Sequence, residues 1–506
     1  MDYFLGIDLG STSLKAIIYD TDGRLIARGD RPTLKFHPTP DATVWEPDQI
    51  WNDTAAACRD AVAQIPNLAG TLGRSAIKGV AVTGMGMDGV PIDEQGNHLY
   101  PFISWHDTRT QPQFDWWVKT IGVDKTFAVG GNPVWLINSA LRMLWIRENE
   151  PEIFKRTFKW LLIEDFLNFK LTGRCVSDYS MASCTMLFDQ RTRNWSDEMC
   201  SLSGIPKHIL PDVFPSSTFL GEITSAAAEQ TGLAPGMPIY LGGHDHLVSA
   251  IPSGAFRSGA VMNITGTWET VNMITSEPVP NPALGHSGIT LQSHAVKDKY
   301  SLWGGNPAGS ALDWFRNEVA AATSWETLVE LAKSSEPGAG RVLFLPHLTA
   351  SSCPVVDPKA LGAFVGLSGL TKQGDLVRAV IEGLDFQFLD TVRTMEDLTG
   401  NQAMEFLGVG GAIRNTFWMQ NKADMVGRPY VIPEVEEATV LGAAILAGIG
   451  AGAYRDEEDA FGRVCRSKIV YEPDLKLTAF YVERFEIYRD LFRAVTPIHH
   501  RLGGQN

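Results

Sequence analysis

The sequence predicts an α/β fold with two domains, and two observations support this. At 506 residues the chain is longer than a single hydrophobic core usually supports. A short apolar strand, a polar turn and a second strand occur at Phe4–Lys15 and again from Ala260 to Trp268. The small-residue stretch Ser249–Gly259 lies between the two copies and marks a boundary. We therefore expect one domain at residues 1–248 and a second at 249–506.

The first copy places a carboxylate beside a glycine-containing turn. Asp8 follows an apolar run and lies at the end of the predicted strand. Gly10 lets the backbone approach a ligand closely, and the turn offers peptide N–H groups and three hydroxyls to phosphate oxygens: Ser11, Thr12 and Ser13. Asp8 is suited to hold Mg²⁺ directly or through water. An ordinary hairpin with a polar turn is the alternative.

The next predicted strand leads to a candidate substrate loop. A helix at Pro47–Ile65 returns the chain to a strand at Ile77–Thr83, and Asp88 follows in the loop. Ligands bind beyond the carboxyl ends of such strands, so Asp88 lies where a substrate can be recognised. Further on, Trp105, Asp107 and Arg109 alternate as on an extended segment, which would put an aromatic ring and two charges on one side. A solvated loop is the alternative.

Two later strands also end in polar or glycine-rich turns. Pro238–Gly243 is a predicted strand that runs into His244, Asp245 and His246. Met404–Gly408 is another, and it leads into a glycine-rich turn and a helix at Thr416–Val426. Such a turn can bind a nucleotide because bare backbone accommodates a base or ribose and the helix N-terminus attracts anions. A purely structural glycine turn is the alternative.

Composition limits the function classes. The formal net charge of −15 argues against nucleic acid or an anionic membrane surface as the main partner. The longest apolar run, Leu441–Ala453, is shorter than the ~20 residues that a membrane-spanning helix needs. No signal peptide follows Met1, and the six scattered cysteines show no metal-ligand spacing. We expect a cytoplasmic protein with reduced thiols.

Taken together, the ordered motifs resemble those of the FGGY carbohydrate kinases over most of the chain. The matching segments are DLGSTS at Asp8–Ser13, WHDTR at Trp105–Arg109, LTGRCVSDYSMAS at Leu171–Ser183, GGHD at Gly242–Asp245, GTW at Gly266–Trp268, GSALDWF at Gly309–Phe315, FLPHL at Phe344–Leu348, DPKALGAFVGL at Asp357–Leu367, RAVIEGLDF at Arg378–Phe386, GVGGAIRNTFWMQNKAD at Gly408–Asp424 and EEATVLGAA at Glu436–Ala444. The resemblance implies two actin-like, ribonuclease H-like domains flanking an ATP and sugar cleft. Within the family, the motifs are more similar to the L-fuculokinase branch than to the xylulokinase branch.

The resemblance also implies roles for individual residues. Asp8 resembles the magnesium ligand of the family and Asp245 its catalytic base. The nucleotide-binding positions implied are Gly10, Ser11, Thr12, Ser13, Gly266, Thr267, Gly309, Gly410, Gly411, Ala412 and Asn415. The sugar-binding positions implied are Asp88, Trp105, Arg109, Asp245 and Trp268.

The expected activity is phosphorylation of a small sugar by Mg²⁺-ATP, with a ketose such as L-fuculose first and a pentulose or polyol as alternatives. The implied partners are a sugar and ATP, with a homodimer as a possible assembly. Two other classes stay open at this point. One is a nonenzymatic nucleotide switch of the actin or chaperone type. The other is a metal hydrolase built on His244, Asp245 and His246, because His-x-His at a strand end is a ligand pattern.

Overall fold

The computed structural model describes residues 2–39, 42–65, 76–465 and 467–502, and within these ranges the chain forms a mixed α/β structure. The strands are β1 Tyr3–Leu9, β2 Ser13–Asp20, β3 Leu25–Pro32, β4 Val44–Trp45, β5 Ile77–Gly84, β6 Gly89–Ile92, β7 Phe102–Ile103, β8 Lys159–Leu162, β9 Val176–Asp178, β10 Phe188–Asp189, β11 Asn194–Trp195, β12 Asp212–Phe214, β13 Phe219–Glu222, β14 Pro238–His244, β15 Ala260–Thr265, β16 Trp268–Thr275, β17 Thr290–Ser293, β18 Tyr300–Pro307, β19 Leu343–Leu345, β20 Ala363–Val365, β21 Glu405–Val409, β22 Tyr430–Pro433 and β23 Lys468–Tyr471.

Helices connect and cover these strands. They are α1 Pro47–Ala63, α2 Gln111–Thr120, α3 Val123–Gly130, α4 Ser139–Asn149, α5 Pro151–Arg156, α6 Ile163–Thr172, α7 Tyr179–Ala182, α8 Asp197–Ser203, α9 Ser225–Thr231, α10 Asp245–Val248, α11 Ala250–Ser253, α12 Pro282–His286, α13 Gly309–Trp314, α14 Trp325–Lys333, α15 Gln373–Thr399, α16 Thr416–Val426, α17 Ala438–Gly450, α18 Glu457–Val464 and α19 Leu475–Leu502. Among the described helices, none combines the length and the apolar character needed to cross a bilayer.

Two large sheets repeat one topology. The first has the order β3-β2-β1-β5-β14-β13, with β1, β2 and β3 antiparallel and β5 and β14 parallel to β1. The second has the order β17-β18-β16-β15-β21-β22-β23, with β15, β16 and β18 antiparallel and β21 and β22 parallel to β15. Each sheet ends in an antiparallel edge strand, β13 or β23. The predicted α/β fold with two strand-turn-strand copies is confirmed.

The central strand of the first sheet is buried on both faces. Successive strand residues point to opposite sides, and Leu5 and Ile7 join a core with helix α1 while Phe4 joins a core with helix α17. Because both faces of β1 are buried, its sequence is a nearly continuous apolar run.

Helix α17 comes from the C-terminal half of the chain, yet it packs against β1, β5 and β14 of the first sheet. The contact is close because glycines lie at the crossing. A Cβ on Gly6 would lie 2.1 Å from the Val440 carbonyl oxygen, and one on Gly442 would lie 2.3 Å from that of Val248. The division at residues 248 and 249 stays a prediction, and the two halves share one core through this helix.

The crossing at Gly6 gives a stability prediction. We expect Gly6→Ala to destabilise the protein by about 1–3 kcal/mol, because the added methyl group must displace the α17 backbone. Chemical unfolding of the purified variant measures this change. Gly462→Ala is the matched control, since a Cβ there meets no atom within 4 Å, and helix propensity predicts a gain of up to about 1 kcal/mol. Equal unfolding midpoints for the two variants would contradict the close packing.

Candidate active site

Three aspartates reach the same edge of the first sheet. Asp8 lies opposite Thr83 in the parallel pairing of β1 and β5, and Thr83 lies opposite Gly243 in the pairing of β5 and β14. Neighbouring strands are about 4.8 Å apart, so the ends of these three strands lie side by side. Asp88 follows β5 in the next loop, and Asp245 is the first residue of helix α10 after β14. The structure therefore places the three carboxylates at one carboxyl-terminal edge.

Asp245 lies between two imidazoles. Its Oδ1 is 3.5 Å from Nε2 of His244 and 3.5 Å from Nδ1 of His246, and it accepts the His246 backbone N–H at 2.6 Å. The side chain is about a third exposed (35%), so a ligand can reach it. Burial alone would raise the pKa of Asp245, but hydrogen bonding by His246 and the adjacent imidazoles hold it below its ordinary value. The carboxylate is therefore ionised at neutral pH.

Asp8 has the environment of a cation ligand. Its Oδ1 is buried and has no hydrogen-bond partner among the described residues. Burial, and next the charge of Asp245, raise the pKa of Asp8 to about 8. A divalent cation beside Oδ1 would favour the ionised carboxylate and satisfy its orphaned oxygen. The donor chemistry at Asp8 thus fits Mg²⁺.

Lys15 lies opposite Asp8 in the register of β1 and β2. Its Nζ is 2.6 Å from Glu437, which immediately precedes helix α17. This ion pair joins the carboxylate edge to the C-terminal half. Its partner lies 422 residues further along the chain, so no local pattern predicts this pair.

Asp88 is fully buried and has two partners from distant segments. Trp45 donates its indole N–H to Oδ2 at 2.7 Å, and the Arg142 guanidinium lies 3.6 Å from Oδ1. Burial raises the pKa of Asp88 to about 6, although Arg142 and Trp45 both favour its ionised form. The sequence analysis missed Arg142. Arg142 lies within the apolar run Ala140–Ile146 of helix α4, and nothing in this run indicates its partner Asp88.

The segment after Ile103 differs from the prediction. The expected extended arrangement of Trp105, Asp107 and Arg109 is wrong, because the chain turns after β7 and the Asp107 N–H donates to the Ser104 carbonyl. Asp107 is buried and accepts backbone N–H groups from Thr43 and Arg109. The bond from Arg109 is local, and such side-chain-to-backbone bonds compete with strand pairing.

This turn gives the two predicted sugar-binding residues different surroundings. Trp105 is partly exposed and stacks on His106 with ring centroids 3.7 Å apart. Arg109 makes two side-chain hydrogen bonds to Asp107, at 2.9 and 2.7 Å, and its guanidinium lies 4.8 Å from the Trp145 ring. A role for either residue in sugar binding stays a prediction.

A cavity of about 780 Å³ lies at the corresponding edge of the second sheet. Six of the predicted nucleotide-binding residues line it: Gly266, Thr267, Gly309, Gly411, Ala412 and Asn415. They come together because β15 and β21 are adjacent parallel strands whose ends face the same way. The four residues Gly10 to Ser13 lie instead in the turn between β1 and β2 of the first sheet.

Glycines make the wall of this cavity compact. The Gly309 N–H donates to the Gly266 carbonyl at 2.9 Å, and a Cβ on Gly309 would lie 2.4 Å from that oxygen. Gly410 has φ of 99°, a conformation that favours glycine, and a Cβ there would lie 2.6 Å from the Thr265 carbonyl oxygen. By contrast, Gly411 meets no atom within 4 Å, which leaves its surface open to a ligand.

Trp268 follows Thr267 directly and begins β16 opposite Pro307. Its side chain is about half exposed (48%). The structure thus places it beside a turn of the nucleotide-sized cavity, in the second sheet, whereas Asp88 belongs to the first. Contact between Trp268 and a sugar stays a prediction.

The cavity also contains residues that the sequence analysis missed. Trp325 lines it from helix α14, together with Asp313, Arg414 and Trp418. Beneath it, Lys422 is fully buried, with Nζ 2.6 Å from Glu269 and 3.1 Å from Asp385. Asp385 in turn accepts the indole N–H of Trp418 at 2.7 Å. This charged cluster therefore supports one wall of the cavity.

Two sheets of one topology, with carboxylates at one edge and glycine-rich turns around a cavity at the other, define an actin-like, ribonuclease H-like phosphotransferase fold. Family models describe the same two parts: the N-terminal domain of the FGGY family of carbohydrate kinases matches residues 3–252, and the C-terminal domain matches residues 261–451. The chain belongs to the FGGY family of carbohydrate kinases. It is a sugar kinase, and the family implies ATP as its phosphoryl donor.

Relatives agree with this family. L-Fuculokinase of Escherichia coli (strain K12) is 30% identical over 467 residues, covering 92% of this chain and 95% of that protein. Xylulose kinase of Bacillus subtilis (strain 168) is 27% identical over 493 residues, covering 97% of each. The crystal structure of xylulose kinase from Rhodospirillum rubrum superposes with a TM-score of 0.89 at 28% identity, covering 98% of this chain and 100% of that one. The predicted resemblance to L-fuculokinases and xylulokinases is confirmed.

The cluster beneath the cavity gives a second prediction. We expect Lys422→Met to destabilise the protein by about 3–5 kcal/mol, because it leaves Glu269 and Asp385 buried without their cation. Chemical unfolding measures the loss, and nucleotide binding should weaken with it. Lys333→Met is the matched control, since its partner Glu330 is exposed and surface pairs contribute little. Equal losses in the two variants would contradict a supporting role for the buried cluster.

Proposed function

We propose that this sugar kinase transfers the terminal phosphoryl group of ATP to a terminal hydroxyl of a ketose, with L-fuculose as the first candidate. The observation that carries the proposal is the ionised, partly exposed Asp245 at a sheet edge shared with Asp8 and Asp88. The choice of L-fuculose rests on similarity to the E. coli L-fuculokinase and on the GMDG, ISWHDTR and GTWE segments.

Asp245 acts as the general base in this proposal. Phosphoryl transfer passes through a loose transition state, so the acceptor hydroxyl must be held in line and must lose its proton late. A carboxylate with a low pKa suits late proton removal, and Oδ1 is the atom that faces the two imidazoles. His244 and His246 hold Asp245 ionised and limit its movement.

Asp8 would hold the magnesium ion of Mg²⁺-ATP. The bound ion supplies positive charge beside the phosphate oxygens, where charge accumulates during transfer. Oδ1 of Asp8 is buried at the strand end, and the pairing of Lys15 with Glu437 holds the lysine at a set position beside it.

The nucleotide would bind between the two turns. The cavity beside Gly411, Ala412 and Asn415 offers an open backbone surface for adenosine, and Trp325 adds an aromatic surface. Backbone N–H groups of the Gly266–Thr267 turn and of the turn at Gly10–Ser13 would then bind the phosphates from opposite sides.

The sugar would bind near Asp88. Its Oδ1 has no hydrogen-bond partner among the described residues, so a sugar hydroxyl would satisfy it once the surrounding loop opens, while Arg142 stabilises its charge. A pocket that pairs a given hydroxyl can reject the epimer strongly. Trp105 and Trp268 would supply apolar surface for the methyl group of a deoxysugar.

Asp245→Asn tests the base. We expect the fold and ATP binding to persist while sugar phosphorylation falls about 10²–10⁴-fold, because the amide cannot accept the proton. A coupled assay of ADP release measures turnover, and displacement of a fluorescent nucleotide measures binding. Asp298→Asn is the matched control, since Asp298 is exposed and paired with Arg193 at the surface. Near-normal turnover by Asp245→Asn would contradict the assignment.

A substrate screen tests the choice of sugar. We expect the highest kcat/KM with L-fuculose, followed by L-rhamnulose, D-xylulose, L-ribulose and tetritols such as erythritol. ADP release by the purified protein is measured for each compound, with Asp245→Asn and a reaction without sugar as controls. Activity confined to a pentulose or polyol would exclude L-fuculose and favour the xylulokinase-like alternative. ATP hydrolysis that is equal with and without every sugar would contradict both.

A further inference from the structure

Three consecutive residues at the carboxylate edge carry ligand atoms that lie within 4.8 Å of one another: His244, Asp245 and His246. Each imidazole approaches the same atom, Asp245 Oδ1, at 3.5 Å. In a tetrahedral zinc site with ligand bonds of about 2.1 Å, neighbouring ligand atoms are about 3.4 Å apart. The two distances to Oδ1 therefore match two edges of such a site.

The backbone explains how the two rings come to face one carboxylate. His244 ends β14 and His246 lies in the first turn of α10, so the change from strand to helix brings both side chains to one side. Ser180 fixes this turn, because its Oγ accepts the His244 backbone N–H at 2.8 Å. The rings lie nearly perpendicular, with centroids 4.2 Å apart.

Both imidazoles also have a contact on the side that faces away from Asp245. His246 Nε2 lies 3.0 Å from Oε1 of Gln292, and His244 Nδ1 lies 3.4 Å from Sγ of Cys184. Each of these contacts lies at the ring nitrogen that faces away from Asp245, so the other nitrogen of each ring stays directed toward Oδ1. Such outer contacts are typical of metal-ligating histidines.

We propose that His244, Asp245 and His246 form a binding site for a borderline-soft divalent cation, with Zn²⁺ as its chemical type. The site is distinct from the proposed Mg²⁺ position at Asp8, which offers a carboxylate oxygen and no imidazole. Two nitrogen ligands and one oxygen suit Zn²⁺, whereas Mg²⁺ prefers oxygen ligands and keeps its waters.

Occupation of this site has a consequence for catalysis, and this part rests on the proposed function. The cation would coordinate Oδ1 of Asp245, and Asp245 is the carboxylate proposed to receive the proton of the sugar hydroxyl. Zn²⁺ would therefore inhibit phosphorylation, and additional Mg²⁺ would not relieve the inhibition, because a hard cation does not displace Zn²⁺ from imidazoles.

Equilibrium dialysis of the full chain against Zn²⁺ alone, without ATP or sugar, tests the binding site. We expect one tightly bound ion per chain and at least a tenfold loss of affinity in His246→Gln, which keeps a polar side chain beside Gln292. His208→Gln is the matched control, since His208 is exposed and lies outside the cluster. Equal affinity in wild type and His246→Gln would overturn the site, as would a comparable loss in His208→Gln, which would show adventitious surface binding only.

A second variant covers the case in which His246→Gln does not fold. Asp245→Asn removes the anionic ligand from a partly exposed position and should lower Zn²⁺ affinity to a similar extent. Unchanged affinity in Asp245→Asn would overturn the site. Because dialysis needs no turnover, binding is judged separately from the proposed function. In the kinase assay, inhibition of wild type by Zn²⁺ with excess Mg²⁺ present supports the catalytic consequence, and full activity with the site loaded overturns it.

Discussion

The packing of helix α17 against the first sheet is the constraint on which the active-site arrangement depends. Helix α17, residues 438–450, follows the second sheet in the chain but packs on β1 of the first sheet. The backbones of the helix and the strand are in contact, and this is possible because residue 6 is a glycine. The residue before this helix, Glu437, binds Lys15 beside Asp8. The two halves therefore share a core, and one packed helix joins the half that contains the cavity to the half that contains the carboxylate edge.

Neighbouring carboxylates repel one another when they are ionised. The surroundings of Asp245 and Asp8 respond to this repulsion differently. Asp245 has two imidazoles and a backbone N–H, and its pKa is lowered. Asp8 has no comparable partner at Oδ1, and its pKa is raised to about 8. In the proposed mechanism, these opposite pKa shifts correspond to different tasks, since Asp245 accepts a proton and Asp8 binds Mg²⁺.

Much of the fold followed from local patterns. Apolar runs that end in polar turns identified β1, β14 and β15, and helical spacing gave helix α16 with its observed bounds. The buried cations were not predictable in the same way. Arg142 and Lys422 pair with Asp88 and Glu269, 54 and 153 residues away, and no local signal marks them. The turn at Asp107 was also not predicted, because one of its stabilising donors, Thr43, lies 64 residues earlier in the chain.

Substrate choice is the property that such patterns reveal least, and the site shows why. Kinases of one fold act on different sugars, so the fold itself carries no information about the acceptor. Trp45 and Arg142 contact Asp88 from separate segments of the chain. If Asp88 binds the sugar as proposed, a small displacement of either residue would change which hydroxyl it accepts. On this proposal, specificity depends on the geometry of a few distant contacts, which can change without altering the motifs that define the family.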